Sequence, residues 1–141
     1  MRIFKLLFLL LVMIMAPISA WADVAGEEEQ FDWTPVVNAI IQVESKGNPR
    51  AVCGPYVGVL QISPILVKDC NNILKSRGSK KRYTLSDRYN EKKSREMFAI
   101  IQSHYNPGHN VEKAIRLWNG GTGYSVAKTQ KYYNKVMRNM K

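Results

Sequence analysis

Residues 34–49 read TPVVNAIIQVESKGNP. Thr34 and Pro35 form a helix start, a capping hydroxyl followed by a proline whose fixed φ suits the first turn. Val37, Ile40, Ile41 and Glu44 then follow at helical spacing, so Glu44 points where the apolar side chains point. Gly47, Asn48 and Pro49 stop the helix. A carboxyl group at the end of an apolar stripe has two readings. Desolvation by its neighbours raises its pKa and lets it donate a proton near neutrality. Alternatively, a helix-end glutamate bends out into water. The spacing leaves both open.

The chain continues in the same manner. Residues 51–62, AVCGPYVGVLQI, hold three turn-formers among short β-branched pieces and predict a compact loop or small strand pair. Ser63-Pro64 is a second cap with proline, starting a helix to about residue 71 with Cys70 in its last turn. SRGSKKRYTLSD (76–87) is a basic, polar connection. A third helix starts after Ser86 or Asp87 and runs to about His104, where Asn-Pro-Gly (106–108) ends it. Asn110 caps a fourth, in which Val111, Ala114, Ile115 and Trp118 lie at i, i+3, i+4 and i+7 on one face. After NGGTG (119–123), a last helix covers about 125–138, with Thr129, Tyr132, Tyr133 and Val136 on or near its inner face. Five helices with short connections and little strand make a mainly α domain, with no internal repeat and no low-complexity tract.

The amino terminus has a different logic. Arg2 and Lys5 precede an uncharged run, Leu6 to Ala22, of 17 residues interrupted by Pro17 and ending in Ala20-Trp21-Ala22. That is the layout of a secretory signal peptide over residues 1–22. The alternative is an uncleaved anchor, but a spanning helix needs about 20 apolar residues. Residues 23–32 are acidic, aperiodic and read as a mobile leader, which leaves 33–141 as the domain. From Trp33 onward there are 19 Lys plus Arg against 6 Asp plus Glu, a net of +13. Such a body is drawn to an anionic polymer or surface. In an exported protein, periplasmic or secreted, that favours cell wall or membrane surface over nucleic acid. The two cysteines, Cys53 and Cys70, read as one disulfide in an oxidising compartment, adding about 3 kcal/mol in the chain-entropy model.

Common catalytic signatures are missing. There is no HExxH, the histidines His104 and His109 stand apart, and no GxSxG elbow occurs. NGGTG lacks the strand, lysine and helix of a phosphate loop. No metal and no cofactor are implied.

Three blocks in order carry a resemblance. ESKGNPRA (44–51) followed by GPYVGVLQISP (54–64) contains a Glu-Ser pair, an Asn-Pro and a Gly-x-x-Gln-Ile-x-Pro segment. WNGG (118–121) is an aromatic-Asn-x-Gly turn, and TQKYYNKV (129–136) is a Thr-x-x-Tyr-x-x-Lys-Val helix. Together they resemble the lysozyme-like lytic transglycosylases over about residues 34–138. The chain departs from the pattern at Ser63, often Met there, at Trp118, usually Tyr, and at Gly120, usually Ala.

The resemblance implies a lysozyme-like α domain with Glu44 as single catalytic acid and base. Gln61, Asn119 and Tyr132 would line a sugar cleft or hold the glutamate, with Ser45 and Tyr56 also against substrate. A tyrosine hydroxyl can fix a carboxyl group, and amide side chains both donate to and accept from sugar hydroxyls. Tyr132 as a plain core aromatic is the alternative at its position, and Trp118 completes the Val111 stripe as core. The implied substrate is peptidoglycan, cut between N-acetylmuramic acid and N-acetylglucosamine with a 1,6-anhydro product. The implied protein is a monomer, and small members of this family often accompany a secretion or conjugation apparatus. True hydrolysis would need a second carboxylate, for which Asp69, Asp87, Glu91, Glu96 and Glu112 are the candidates. A non-catalytic glycan binder and a basic nucleic-acid binder are the rivals from other classes; the latter would need aromatics interleaved with its cations.

Overall fold

The computed structural model describes residues 30–140. The signal-peptide reading of 1–22 and the leader reading of 23–29 lie outside the described residues. The order is α1 (Thr34–Ser45), a hairpin of β1 (Val52–Cys53) and β2 (Tyr56–Val57), α2 (Pro64–Ser76), a 3-10 turn (Leu85–Tyr89), α3 (Glu91–Tyr105), α4 (Val111–Gly120) and α5 (Val126–Asn139). The protein is thus mainly α with one small two-stranded sheet, the expected class.

α1 buries Val36, Val37, Ala39, Ile40 and Ile41. Its stripe packs against α4 and α5, while α2 packs against α3. Ile40, Leu60, Ile62, Met97, Phe98 and Ile115 are fully buried and form the centre of one core. Each such side chain stabilises the fold by roughly 1.5–3 kcal/mol.

Several helix ends differ from the expected ones. Thr34 lies inside α1, with Trp33 at the cap position making no side-chain cap bond. Asp32 accepts from the Thr34 N–H at 2.9 Å instead, so one of the orphan donors of the first turn is satisfied from outside the helix. Phe31 stacks on His109 at 4.9 Å between ring centroids and packs against the core. The domain therefore begins two residues earlier than the leader reading allowed, because an aromatic ring at 31 finds an apolar seat.

α2 runs on to Ser76 rather than to residue 71. Asn71 is not a terminator there. Its side chain donates to Tyr83 O at 2.9 Å and accepts from Tyr83 N at 2.8 Å, clasping the basic connection to the helix. Ser63, Asn90, Asn110 and Ser125 cap α2, α3, α4 and α5, each accepting from a backbone N–H three residues on. α4 and α5 are locked by Arg116, whose side chain is 97% hidden. It donates to Glu112, Val126 O, Thr129 and Gln130 and lies over the Tyr133 ring. A buried cation so fully partnered does not carry the usual desolvation penalty alone.

The expected Cys53–Cys70 disulfide is not formed; both are free thiols. Cys53 stands exposed on the hairpin, whereas Cys70 is buried on α2 with its sulfur 3.6 Å from Met97 O. The two side chains serve different surfaces, so the loop spacing that suggests a bridge is overridden by where the helix places Cys70. Burial, reinforced by Asp69, pushes the Cys70 thiol up to about 12. One fast-reacting thiol is therefore expected in the native protein by thiol titration at pH 8, rising to two in denaturant. Zero in both conditions would mean the pair bonds in solution.

Candidate active site

Glu44 sits in the last turn of α1, half-buried. Lys46, at φ 53, takes the left-handed conformation that ends the helix. Tyr132 on α5, 88 residues away in sequence, donates its hydroxyl to Glu44 Oε1 at 2.7 Å. Burial raises the Glu44 carboxyl above its ordinary value, and the Tyr132 bond works in the opposite direction. Burial and the neighbouring Glu44 charge push the Tyr132 hydroxyl far above the usual tyrosine range. Tyr132 is thus a permanent donor that fixes one carboxyl oxygen and leaves the other for chemistry.

The free side of Glu44 opens on a cleft of about 360 Å³, within the size range of small-molecule sites. Gln61, Asn119 and Tyr56 share its walls together with Ser63, Leu66, Trp118 and Cys53. Among the described residues lining this cleft, Glu44 is the only acid.

Gln61 stands at φ 51, in the left-handed region that a non-glycine residue seldom enters. Its Nε2 donates to Gly58 O at 2.9 Å and Ala51 O at 3.2 Å. The amide therefore staples the loop behind the hairpin, and its carbonyl oxygen remains for the cleft. Strain held this way is commonest at binding sites. Trp118 packs against the core, as its stripe implies, and also belongs to the lining of the cleft. Its ring packs on Phe98 at 4.9 Å, its Nε1 donates to Leu60 O at 3.2 Å, and its outer edge lines the cleft.

Ser45 does not line the cleft. Its hydroxyl donates to Val59 O at 2.8 Å and accepts from Gly47 N at 3.2 Å, which ties the end of α1 to the loop carrying Gln61. Its hydroxyl is thus engaged with backbone groups and not with the cleft. Two contributors carry no sequence signal as site residues. Ser63 was visible only as a helix cap, and Arg88, in the 3-10 turn, holds the hairpin through Pro55 O at 3.1 Å and Ile62 O at 3.2 Å.

Four of the candidate second carboxylates are paired elsewhere. Asp87 pairs with Lys93, Glu91 with Arg95, Glu96 with Lys81, and Glu112 with Arg116. Among the described residues, Asp69 is the one acid that lines an adjoining groove of about 560 Å³, which shares Tyr56, Trp118 and Asn119 with the Glu44 cleft. It accepts from Tyr105 Oη at 3.0 Å.

Fold and site together define a class: a mainly α domain with one desolvated, tyrosine-held acid in an open cleft. No family model matches this chain, and a search of curated proteins finds no match either.

Proposed function

We propose that this chain is a peptidoglycan lytic transglycosylase. The observation that carries the reading is the Tyr132–Glu44 hydrogen bond at 2.7 Å, in a cleft where no second acid lines the wall among the described residues. A raised carboxyl group supports a general acid, and the polar, open cleft beside it suits a glycan. The three sequence blocks supply the substrate class. The basic balance and the amino-terminal reading support a periplasmic or secreted monomer working on the wall, with a secretion or conjugation apparatus as the partner class.

In this mechanism Glu44 gives its proton to the oxygen bridging N-acetylmuramic acid and N-acetylglucosamine. The C–O bond breaks, and the anomeric carbon gains oxocarbenium character, which the substrate's own acetamido group stabilises. Glu44, now a carboxylate, takes the proton of the muramic acid 6-hydroxyl. That oxygen bonds to the anomeric carbon and closes the 1,6-anhydro ring. The proton count on Glu44 returns to its start, and no water enters.

Digested peptidoglycan should therefore carry anhydro ends, lighter by one water than hydrolytic ends, with no gain in reducing sugar. Predominantly reducing ends would make the protein a muramidase that recruits Asp69 across the shared groove. Binding without any cut would leave a wall-binding protein.

Tyr132→Phe provides a second check. It keeps the ring and removes the bond that holds the Glu44 pKa down. The basic limb of the pH–rate profile, where Glu44 loses its proton, should move to higher pH. The rate at the optimum should fall about ten- to a hundred-fold, the scale of one hydrogen bond to a charged group. An unmoved basic limb would separate Tyr132 from the acid's titration.

A further inference from the structure

A second depression, of about 410 Å³, also has Glu44 in its lining. Asn119 and Tyr132 belong to it, and so do Lys128, Lys131 and Lys135. The three lysines are exposed, and none forms a salt bridge among the described residues. α5 holds no acid along Val126–Asn139. Lys128 lies in its first turn, where the helix dipole disfavours a cation and an acid would be the stabilising choice. A cation set against the local rule, facing a cleft and left unpaired, is a mark of function rather than stability.

We propose that Lys128, Lys131 and Lys135 form an anion-binding strip for the carboxylates of the peptide stems carried by the glycan chain. The transglycosylase reading supplies only the identity of the polymer. In that polymer the stem leaves the muramic acid ring, so its charges lie close to the bond that Glu44 attacks. The strip would favour stem-bearing chain over bare sugar and set which way the strand lies in the cleft. Stem carboxylates are the occupant favoured over wall phosphates, because the strip adjoins the cutting point and not a remote face.

The test is co-sedimentation with insoluble peptidoglycan, freed of phosphate polymers with hydrofluoric acid. It is done with the native polymer and with the same polymer after its carboxylates are amidated. The protein carries Glu44→Gln so that binding is read without cutting. Joint Lys128→Gln, Lys131→Gln and Lys135→Gln should weaken binding to native peptidoglycan about ten-fold, since exposed charge contacts are individually weak but three act together. On the amidated polymer the same change should have no effect. A charge-matched control, Lys75→Gln, Lys80→Gln and Lys92→Gln, alters exposed lysines away from the cleft and should leave binding nearly unchanged. Equal loss in the control, or equal loss on the amidated polymer, overturns the strip. Whether the protein with Glu44 intact cuts the wall is scored separately. A protein that binds through the strip without cutting would sink the transglycosylase reading and keep this one.

Discussion

Replacing Glu44 with glutamine is expected to lower wall cleavage by about 10²–10⁴-fold, the usual contribution of a positioned general acid. In a mechanism with one acid the same group acts twice, so the loss should lie at the upper end of that range. Glutamine keeps the shape of the side chain and offers Tyr132 an oxygen to donate to. It has no proton to give and no carboxylate to take one back. The fold should survive, because the residues that seat α1, from Val36 to Ile41, are untouched. Stability supplies an independent check with a definite sign. Burial raises the Glu44 pKa in the folded state above its ordinary value of 4.5. Between those two values the folded protein binds more protons than the unfolded chain, so Glu44 disfavours folding progressively as pH rises through that interval. The glutamine variant does not titrate. Its melting temperature should exceed that of the parent at pH 7, and the gap should close as pH falls below the ordinary glutamate value. Full activity in a folded Glu44→Gln protein would end the single-acid mechanism. A variant less stable than the parent at pH 7 would mean that the carboxylate is a structural anchor.

The site was partly legible in the sequence, for identifiable reasons. Glu44 stands out because helical periodicity is local: four residues, Val37, Ile40, Ile41 and Glu44, suffice to show which way it points. The Val111–Trp118 stripe is legible on the same ground, the caps Ser63 and Asn110 from their residue type beside it, and α4 and α5 form close to where the pattern implies. The Tyr132–Glu44 pair is different, since 88 residues separate its members. Periodicity placed each on an inner face, and only the resemblance joined them.

What was not legible depends on contacts between distant segments. α2 runs past Asn71 because that side chain is spent on Tyr83, and the helix ends instead at Arg77 and at Gly78, which stands at φ 72. Cysteine spacing suggested a bridge, but α2 turns Cys70 into the core against α3. Ser45 shares a motif with Glu44 yet faces another direction, because neighbours on a helix lie about 100° apart. Gln61 and Arg88 owe their roles to backbone carbonyls of the hairpin loop, and a carbonyl acceptor leaves no trace in sequence. The site is therefore best read as an acid prescribed by local pattern and a cleft wall assembled by tertiary hydrogen bonds.

That wall depends on one close approach, which gives the second large expected effect. Gly58→Ala should destabilise the protein by at least about 3 kcal/mol, placing it among the severe single substitutions. Gly58 lies at φ +82, where a Cβ is strained whatever the space around it, by roughly 1–3 kcal/mol. Space is lacking as well: a Cβ would fall 1.8 Å from the Arg88 carbonyl oxygen, a backbone atom that cannot swing aside. Moving that carbonyl displaces the turn from which Arg88 reaches Pro55 O and Ile62 O. Gly58 itself donates to Ala51 O at 2.8 Å and accepts from both Gln61 N and Gln61 Nε2, so the disturbance passes directly to the cleft wall. The melting temperature should fall by about 10–20 °C for a domain of this size, with loss of cleavage in whatever remains folded. Gly108→Ala is the matched comparison: it meets nothing within 4 Å and is not in the left-handed region, so its melt should stay near that of the parent. If both substitutions melt alike, Gly58 is not held against the Arg88 turn, and the cleft wall must be supported in some other way.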